Sequence, residues 1–165
     1  MNLNAAHLHL ILNHLPILGT SFGTLVLLIG LVRKNADIKK IGLFLFVVAA
    51  LAAIPTYFTG HPAHEIIEDM PGVTRAFIHD HEEAAEWAFA MVGGLGALSL
   101  LGLLLSCRAQ GAPSWIFLLS FVLSLGVNGA MVRTADLGGK IRHTENRSDF
   151  QPPPESQRAP HHHEE

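Results

Sequence analysis

The chain has a single cysteine, Cys107, among 165 residues, so no disulfide can form within it. Charged residues make up only 15% and aromatic ones 7%, against 49% hydrophobic. The formal charge of −3 gives no reason to expect a nucleic-acid partner. The opening stretch MNLNAAHLHL holds no Lys or Arg. It lacks the basic region of a secretory signal, so the first apolar run is expected to stay in the chain as a span. No phosphate-binding glycine loop and no Gly-x-Ser-x-Gly turn occur, which removes the usual nucleotide and serine-hydrolase chemistries. No Cys-x-x-Cys-His occurs either, which excludes covalent c-type haem.

What is present is hydrophobicity in four blocks. They run over about 8–32, 41–59, 84–106 and 115–132. A helix needs about 20 residues to cross a hydrocarbon core of about 30 Å. The blocks are continuously apolar rather than alternating, which excludes barrel strands. The predicted fold is all-α, a polytopic membrane protein whose four transmembrane helices form a bundle over residues 1–143. Gly60-His61-Pro62 reads as the stop of the second helix, and Pro55 as a kink near its end. Residues 63–80 read as a polar, acidic connection, with 63–70 able to form a short interfacial helix. Gly111 and Pro113 mark the turn before the fourth span. Residues 144–165 contain Pro152-Pro153-Pro154, polar residues and both charge signs. Such a segment buries too little to offset its ordering entropy and is expected to be disordered. Its His161-His162-His163 run reads as incidental.

Basic residues set the expected orientation. Arg33, Lys34, Lys39 and Lys40 lie between the first two spans, and Arg108 between the last two. Short basic loops stay in the cytoplasm. Both termini then face the periplasm if the bilayer is a bacterial inner membrane. Arg133, Lys140 and Arg142, after the fourth span, count against this orientation.

The chain has eleven histidines, and on this map all of them fall at one end of the bundle. His7, His9 and His14 begin the first helix; His61 and His64 follow the second; His79 and His81 precede the third; His143 follows the fourth. Imidazole is the commonest metal ligand, and bundles hold cofactors between facing helices. His14 is the leading candidate, because an ionisable group inside a span is costly. His9 is rotated away from it by about 140° at about 100° per residue, so one helix cannot offer both to one metal. His79, Glu82, Glu83 and Glu86 form a stripe on the third helix, which also suits a water-facing helix start. Histidines without nearby Cys or Met suit haem iron, zinc or copper(II). A porphyrin slot would need small residues, and Gly19, Gly23, Gly93, Gly94, Gly96, Gly126 and Gly129 supply them, although such residues ordinarily serve close helix packing. Asn128 and Arg133 could bond another helix or a haem propionate, with packing the plainer role for Asn128.

The segment His9-Leu-Ile-Leu-Asn-His14-Leu-Pro16 resembles the His-Pro-x-x-x-His-Phe-Pro opening of a bacterial family of four-span membrane proteins, the domain-of-unknown-function 2231 family. Thr59-Gly60, a histidine opening the third helix, and Leu137-Gly138-Gly139-Lys-Ile-Arg-His143 resemble that family's later motifs. Leu10 and Leu15 stand where the family has Pro and Phe. The resemblance implies ligands among His9, His14, His79, His81 and His143, and a b-type cytochrome role.

The expected function is therefore binding of one or two b-type haems near the periplasmic face for membrane electron transfer. His14 with His81 or His79 is the first expected pair, and His9 with His143 the second. A c-type cytochrome, a quinone or a larger respiratory complex would be the partner, and a relay subunit fits better than a stand-alone enzyme. Two alternatives stand beside it. One is a copper or zinc site drawn from His14, His61, His64, His79 and His81. The other is a structural or assembly subunit.

Overall fold

The computed structural model describes residues 4–109, 111–148 and 150–151. Its helices are α1 (Ala5–Leu12), α2 (His14–Val32), α3 (Ala36–Ile67), α4 (Arg75–Ser106) and α5 (Ser114–Arg142). α1 and α2 together make the first span, so four helical stretches are long and apolar enough to cross a membrane. Among the described residues there is no strand. The chain is a multi-pass helical membrane protein.

The first span is interrupted at Asn13, and Pro16 explains why. Proline has no N–H to give the carbonyl four residues back, and its ring crowds that carbonyl. Leu12 is that residue, and its freed oxygen accepts from Thr56 Oγ1 at 3.1 Å. The break is thus bonded from α3. Asn4 caps the start of α1, its side chain accepting from the His7 N–H at 2.9 Å.

At the opposite end α2 turns into α3 within three residues. The Asn35 N–H returns to the Gly30 carbonyl and the Lys34 N–H to that of Leu31, the two bonds of a Schellman cap. Lys34 takes the left-handed position, φ 51°, where glycine is usual. Asn35 then caps α3 by accepting from the Asp37 and Ile38 N–H groups.

α2, α3, α4 and α5 form an antiparallel ring in which each packs on its neighbours, with α5 closing back on α2. Leu27, Leu43, Phe46, Val92, Leu95 and Val127 fill the centre, essentially without exposure. Small residues bring the axes together. A Cβ on Gly42 would fall 2.9 Å from Leu27 Cα, and one on Gly19 2.9 Å from Ala49 Cβ. Gly96 meets Ala50 more closely still. Phe22, Phe44, Phe58, Trp87, Trp115 and Val132 lie exposed on the outside, as lipid-facing side chains must. Asn128 links α5 to α2. It accepts from Ser21 Oγ at 2.8 Å and donates to Thr24 Oγ1 at 3.0 Å. Its role is helix packing, as the plainer sequence reading held.

Two expectations about the middle of the chain are corrected. α3 does not stop at Gly60-His61-Pro62 but continues to Ile67, and α4 begins at Arg75. The connection is only residues 68–74, not 63–80. Packing overrides the local breakers: Ala63 is buried, and Thr59 Oγ1 donates to the Pro55 carbonyl within the proline-bearing turns. The boundary at residue 143 also shifts. Thr144–Asn146 make a 3-10 turn, and Arg147 folds back. Its guanidinium donates to the Lys140, Ile141 and Gly72 carbonyls and sits over the Phe77 ring. The Pro152–Pro154 and His161–His163 portions of the tail lie outside the described residues.

α3 and α4 have 32 residues each. At 1.5 Å per residue that is about 48 Å, against about 30 Å of hydrocarbon. Trp115 opens α5 at the loop end, and Trp87 lies three turns inside α4 from the other end. Indole rings favour the two interfaces. From Trp87 to Ser106 is about 30 Å of helix, enough to cross, so α4 is longer than a span needs by about the length of residues 75–86.

A candidate cofactor site at the histidine-rich end

α1 leans on α3 and makes no close backbone approach to α4 or α5. The end of the bundle is therefore splayed, and a cavity of about 940 Å³ opens there. That is near the upper end of the range for small-molecule and cofactor sites. Six of the eight described histidines line it: His9, His14, His61, His64, His81 and His143. Apolar side chains make most of the remaining wall, among them Ile17, Phe89, Val92 and Met131.

His9 of α1 and His81 of α4 face each other across this space. Their ring centres are 6.5 Å apart and the planes nearly perpendicular, at 87°. Each ring has Nδ1 at a helix carbonyl, and His9 Nδ1 also lies 3.2 Å from Thr59 Oγ1. His9 Nδ1 lies 3.0 Å from the Thr56 carbonyl and His81 Nδ1 2.9 Å from the Thr134 carbonyl. In each case the residue four positions on is a glycine against the ring. A Cβ on Gly60 would sit 3.5 Å from His9 Cε1, and one on Gly138 3.0 Å from His81 Cε1. With Nδ1–H donated to a carbonyl, Nε2 is left as the lone-pair nitrogen. This is the outer-shell arrangement that orients metal-bound imidazoles.

The spacing carries chemical information. With metal–imidazole bonds of about 2 Å and roughly 1 Å more to each ring centre, ligands on opposite faces have centres about 6 Å apart, whereas tetrahedral ligands have them about 5 Å apart. The observed 6.5 Å leaves room for an ion held from opposite faces, and it is also the spacing of an edge-to-face ring pair.

The other predicted residues are placed differently. His14 is exposed at the cavity wall, with Nδ1 bonded at 2.9 Å to the Leu10 carbonyl of its own helix. His81 is thus paired with His9, not with His14. His143 is exposed and bonds Glu145 at 2.9 Å rather than pairing with His9. The Glu145 carboxyl is held below its ordinary range by its own backbone N–H and by His143. His79 is exposed on α4 and takes no part in the cavity wall. Comparison with protein-family models, curated proteins and solved structures returned no match. The site is therefore read from its own geometry.

The glycine slot is corrected as well. Gly19, Gly23 and Gly96 are packed against α3, and Gly93, Gly94 and Gly129 face open space. The glycines that matter for the histidines are Gly60 and Gly138, which the slot reading did not include. A sequence signal for them does exist. Thr56-x-x-x-Gly60 near the end of α3 recurs as Thr134-x-x-x-Gly138 near the end of α5.

A second cluster lies beside the first. His61 and His64 of α3 and Glu82 of α4 bring one ligand atom each within 4.8 Å of one another. Glu82, a member of the third-helix stripe, pairs with His64 at 2.9 Å.

Proposed function

We propose that this chain is a b-type haem protein of the membrane, in which His9 and His81 would hold the iron. The opposed, carbonyl-anchored imidazoles carry this reading. The donor set fits the group: two neutral histidines, no thiolate or thioether, and a mostly apolar cavity beside them. The glycines against each ring leave room that a Cβ at position 138 would take. Arg142, at the cavity wall, is the basic residue available to a propionate. The resemblance to the domain-of-unknown-function 2231 family leads to the same expectation.

Haem held there supplies a one-electron carrier. The protein's own part is to fix both rings and keep the apolar wall dry. A carrier at that end of the bundle suits exchange with a periplasmic c-type cytochrome or with quinone at the interface, with the basic 33–40 segment in the cytoplasm and both termini outside.

The test is an optical spectrum of detergent-purified protein, oxidised and then reduced with dithionite. A sharp reduced α-band, at one haem per chain by pyridine haemochrome, is expected. It should be lost in His9→Ala and His81→Ala and kept in His14→Ala. A flat visible spectrum from protein made with ample haem would overturn the proposal. So would a spectrum that survives loss of His81 and His9 together.

A further inference from the structure

A haem needs no carboxylate and no third or fourth histidine, yet the structure holds an organised His/Glu cluster next to the His9/His81 pair. We propose that His61, His64 and Glu82 form a separate binding site for a divalent first-row cation, zinc or copper(II). The site is distinct from the haem reading and does not depend on it.

The donors come from two helices. His61 and His64 are three apart on α3, so they share a face. Their ring centres are 5.8 Å apart. Glu82 approaches from α4, its Oε1 2.9 Å from His64 Nδ1. Two imidazoles and one carboxylate with a water-accessible side is the donor set of open zinc sites. Imidazole nitrogen selects against calcium and magnesium, which prefer all-oxygen shells.

The carboxylates around His64 divide into two roles. His64 Nδ1 faces Glu82, while its Nε2 lies 3.5 Å from Glu68 Oε2. Glu68 is in turn bound by Arg75 at 3.4 Å. A cation takes the place of the proton between His64 Nδ1 and Glu82. The two atoms then part only slightly, since tetrahedral bonds of about 2 Å set ligands roughly 3.3 Å apart. Glu68 remains on the far nitrogen as the carboxylate that orients a metal-bound histidine, with Arg75 fixing Glu68. Glu65 lies 3.8 Å from His61 Nε2 on the exposed side of the helix. A carboxylate on the far nitrogen of a metal-bound histidine is the usual outer-shell arrangement.

The site adjoins the His9/His81 pair: on α4 Glu82 follows His81, and on α3 His61 follows Gly60, the residue against the His9 ring. A cation bound there adds positive charge beside the haem site.

The test is a zinc titration of purified full-length protein by calorimetry, with copper(II) followed by electron paramagnetic resonance. The background carries His161→Ala, His162→Ala and His163→Ala, to remove the tail's own metal affinity. One zinc per chain is expected. His64→Ala and Glu82→Gln should each weaken it at least tenfold, and Glu68→Gln by about 10- to 100-fold, the cost typical of an outer-shell partner. His9→Ala with His81→Ala should leave zinc binding intact, which separates this proposal from the haem reading. Copper(II) should show nitrogen hyperfine structure that His64→Ala simplifies. No zinc binding in the background protein, or binding unchanged by both His64→Ala and Glu82→Gln, would overturn the proposal.

Discussion

Substituting Gly138 by alanine should weaken haem binding, and the same change at Gly60 should not. The difference follows from the space beside each ring. The new Cβ at 138 would stand 3.0 Å from His81 Cε1 and 3.1 Å from its Nδ1, tighter than ordinary contact. At 60 it would stand 3.5 Å from His9 Cε1, an ordinary contact. To relieve the clash the His81 ring must retreat from α5 by a few tenths of an ångström. Its bond to the Thr134 carbonyl, 2.9 Å long, then stretches beyond the usual range. Losing one such bond costs about 0.5–1.5 kcal/mol, roughly 2- to 10-fold in affinity. Alanine is also favoured over glycine in a helix by about 1 kcal/mol, so Gly60→Ala should raise Tm. The assay is haem titration of apo-protein in detergent, followed at the Soret band, with Tm measured on the same samples. Gly139→Ala is the control, because a Cβ there would meet only Asn146, at 3.9 Å. Equal losses at 60 and 138, or none at 138, would refute the assignment of Gly138 as the residue that makes room for His81.

Gly42→Ala should destabilise the bundle by about 1–3 kcal/mol, because the added atom meets the Leu27 backbone, which cannot step aside as a flexible side chain can; unfolding in mixed micelles reads this, and a neutral result would mean that the α2–α3 approach is looser than described. Asn128→Leu removes the bonds to Ser21 and Thr24, and at about 0.6 kcal/mol per interhelical bond it should cost roughly 1 kcal/mol with an unchanged haem spectrum. A spectral change in that variant would mean that Asn128 belongs to the cofactor site after all. Cys107 is exposed at the end of the bundle away from the histidines and is the only thiol in the chain. An impermeant maleimide should label it only after cells are permeabilised; labelling in intact cells would invert the orientation and put the histidines in the cytoplasm.

The spans were legible because hydrocarbon sets a length and a composition that few other environments demand. The gathering of the histidines at one end was legible for the same reason, since an antiparallel bundle sorts its connections by parity. The extension of α3 through Gly60-His61-Pro62 was not. Glycine and proline there read as breakers by local propensity, while the evidence that the helix continues lies in contacts with α1 and α4. The partner of Glu82 was not legible for a similar reason: its spacing fits a helix stripe, and only the packing of α4 on the extended α3 brings His64 to it.

The pairing of His9 with His81 depends on the direction in which α1 leaves α2, and that direction rests on two residues far apart in sequence. A straight first helix would have kept α1 in line with α2. Pro16 breaks it by taking the N–H from the Leu12 carbonyl, and Thr56 accepts the consequence by donating to that oxygen from α3. Thr56 bonds both pieces of the device, for its carbonyl also receives His9 Nδ1. Pro16 alone suggests a kink, and Thr56 alone suggests an ordinary helix threonine. His14 looked like the better ligand because it lies deeper in the apolar run, where an ionisable group is costly. In the structure His14 is exposed at the cavity wall and its Nδ1 is taken up by the Leu10 carbonyl of its own helix. The repeated Thr-x-x-x-Gly is the one local mark shared by the two partners of His9 and His81. Its physical reason is clearest on α5: His81 reaching across bonds the Thr134 carbonyl, and one turn later Gly138 keeps a side chain out of its way, whereas at Gly60 a Cβ would make only ordinary contact with His9.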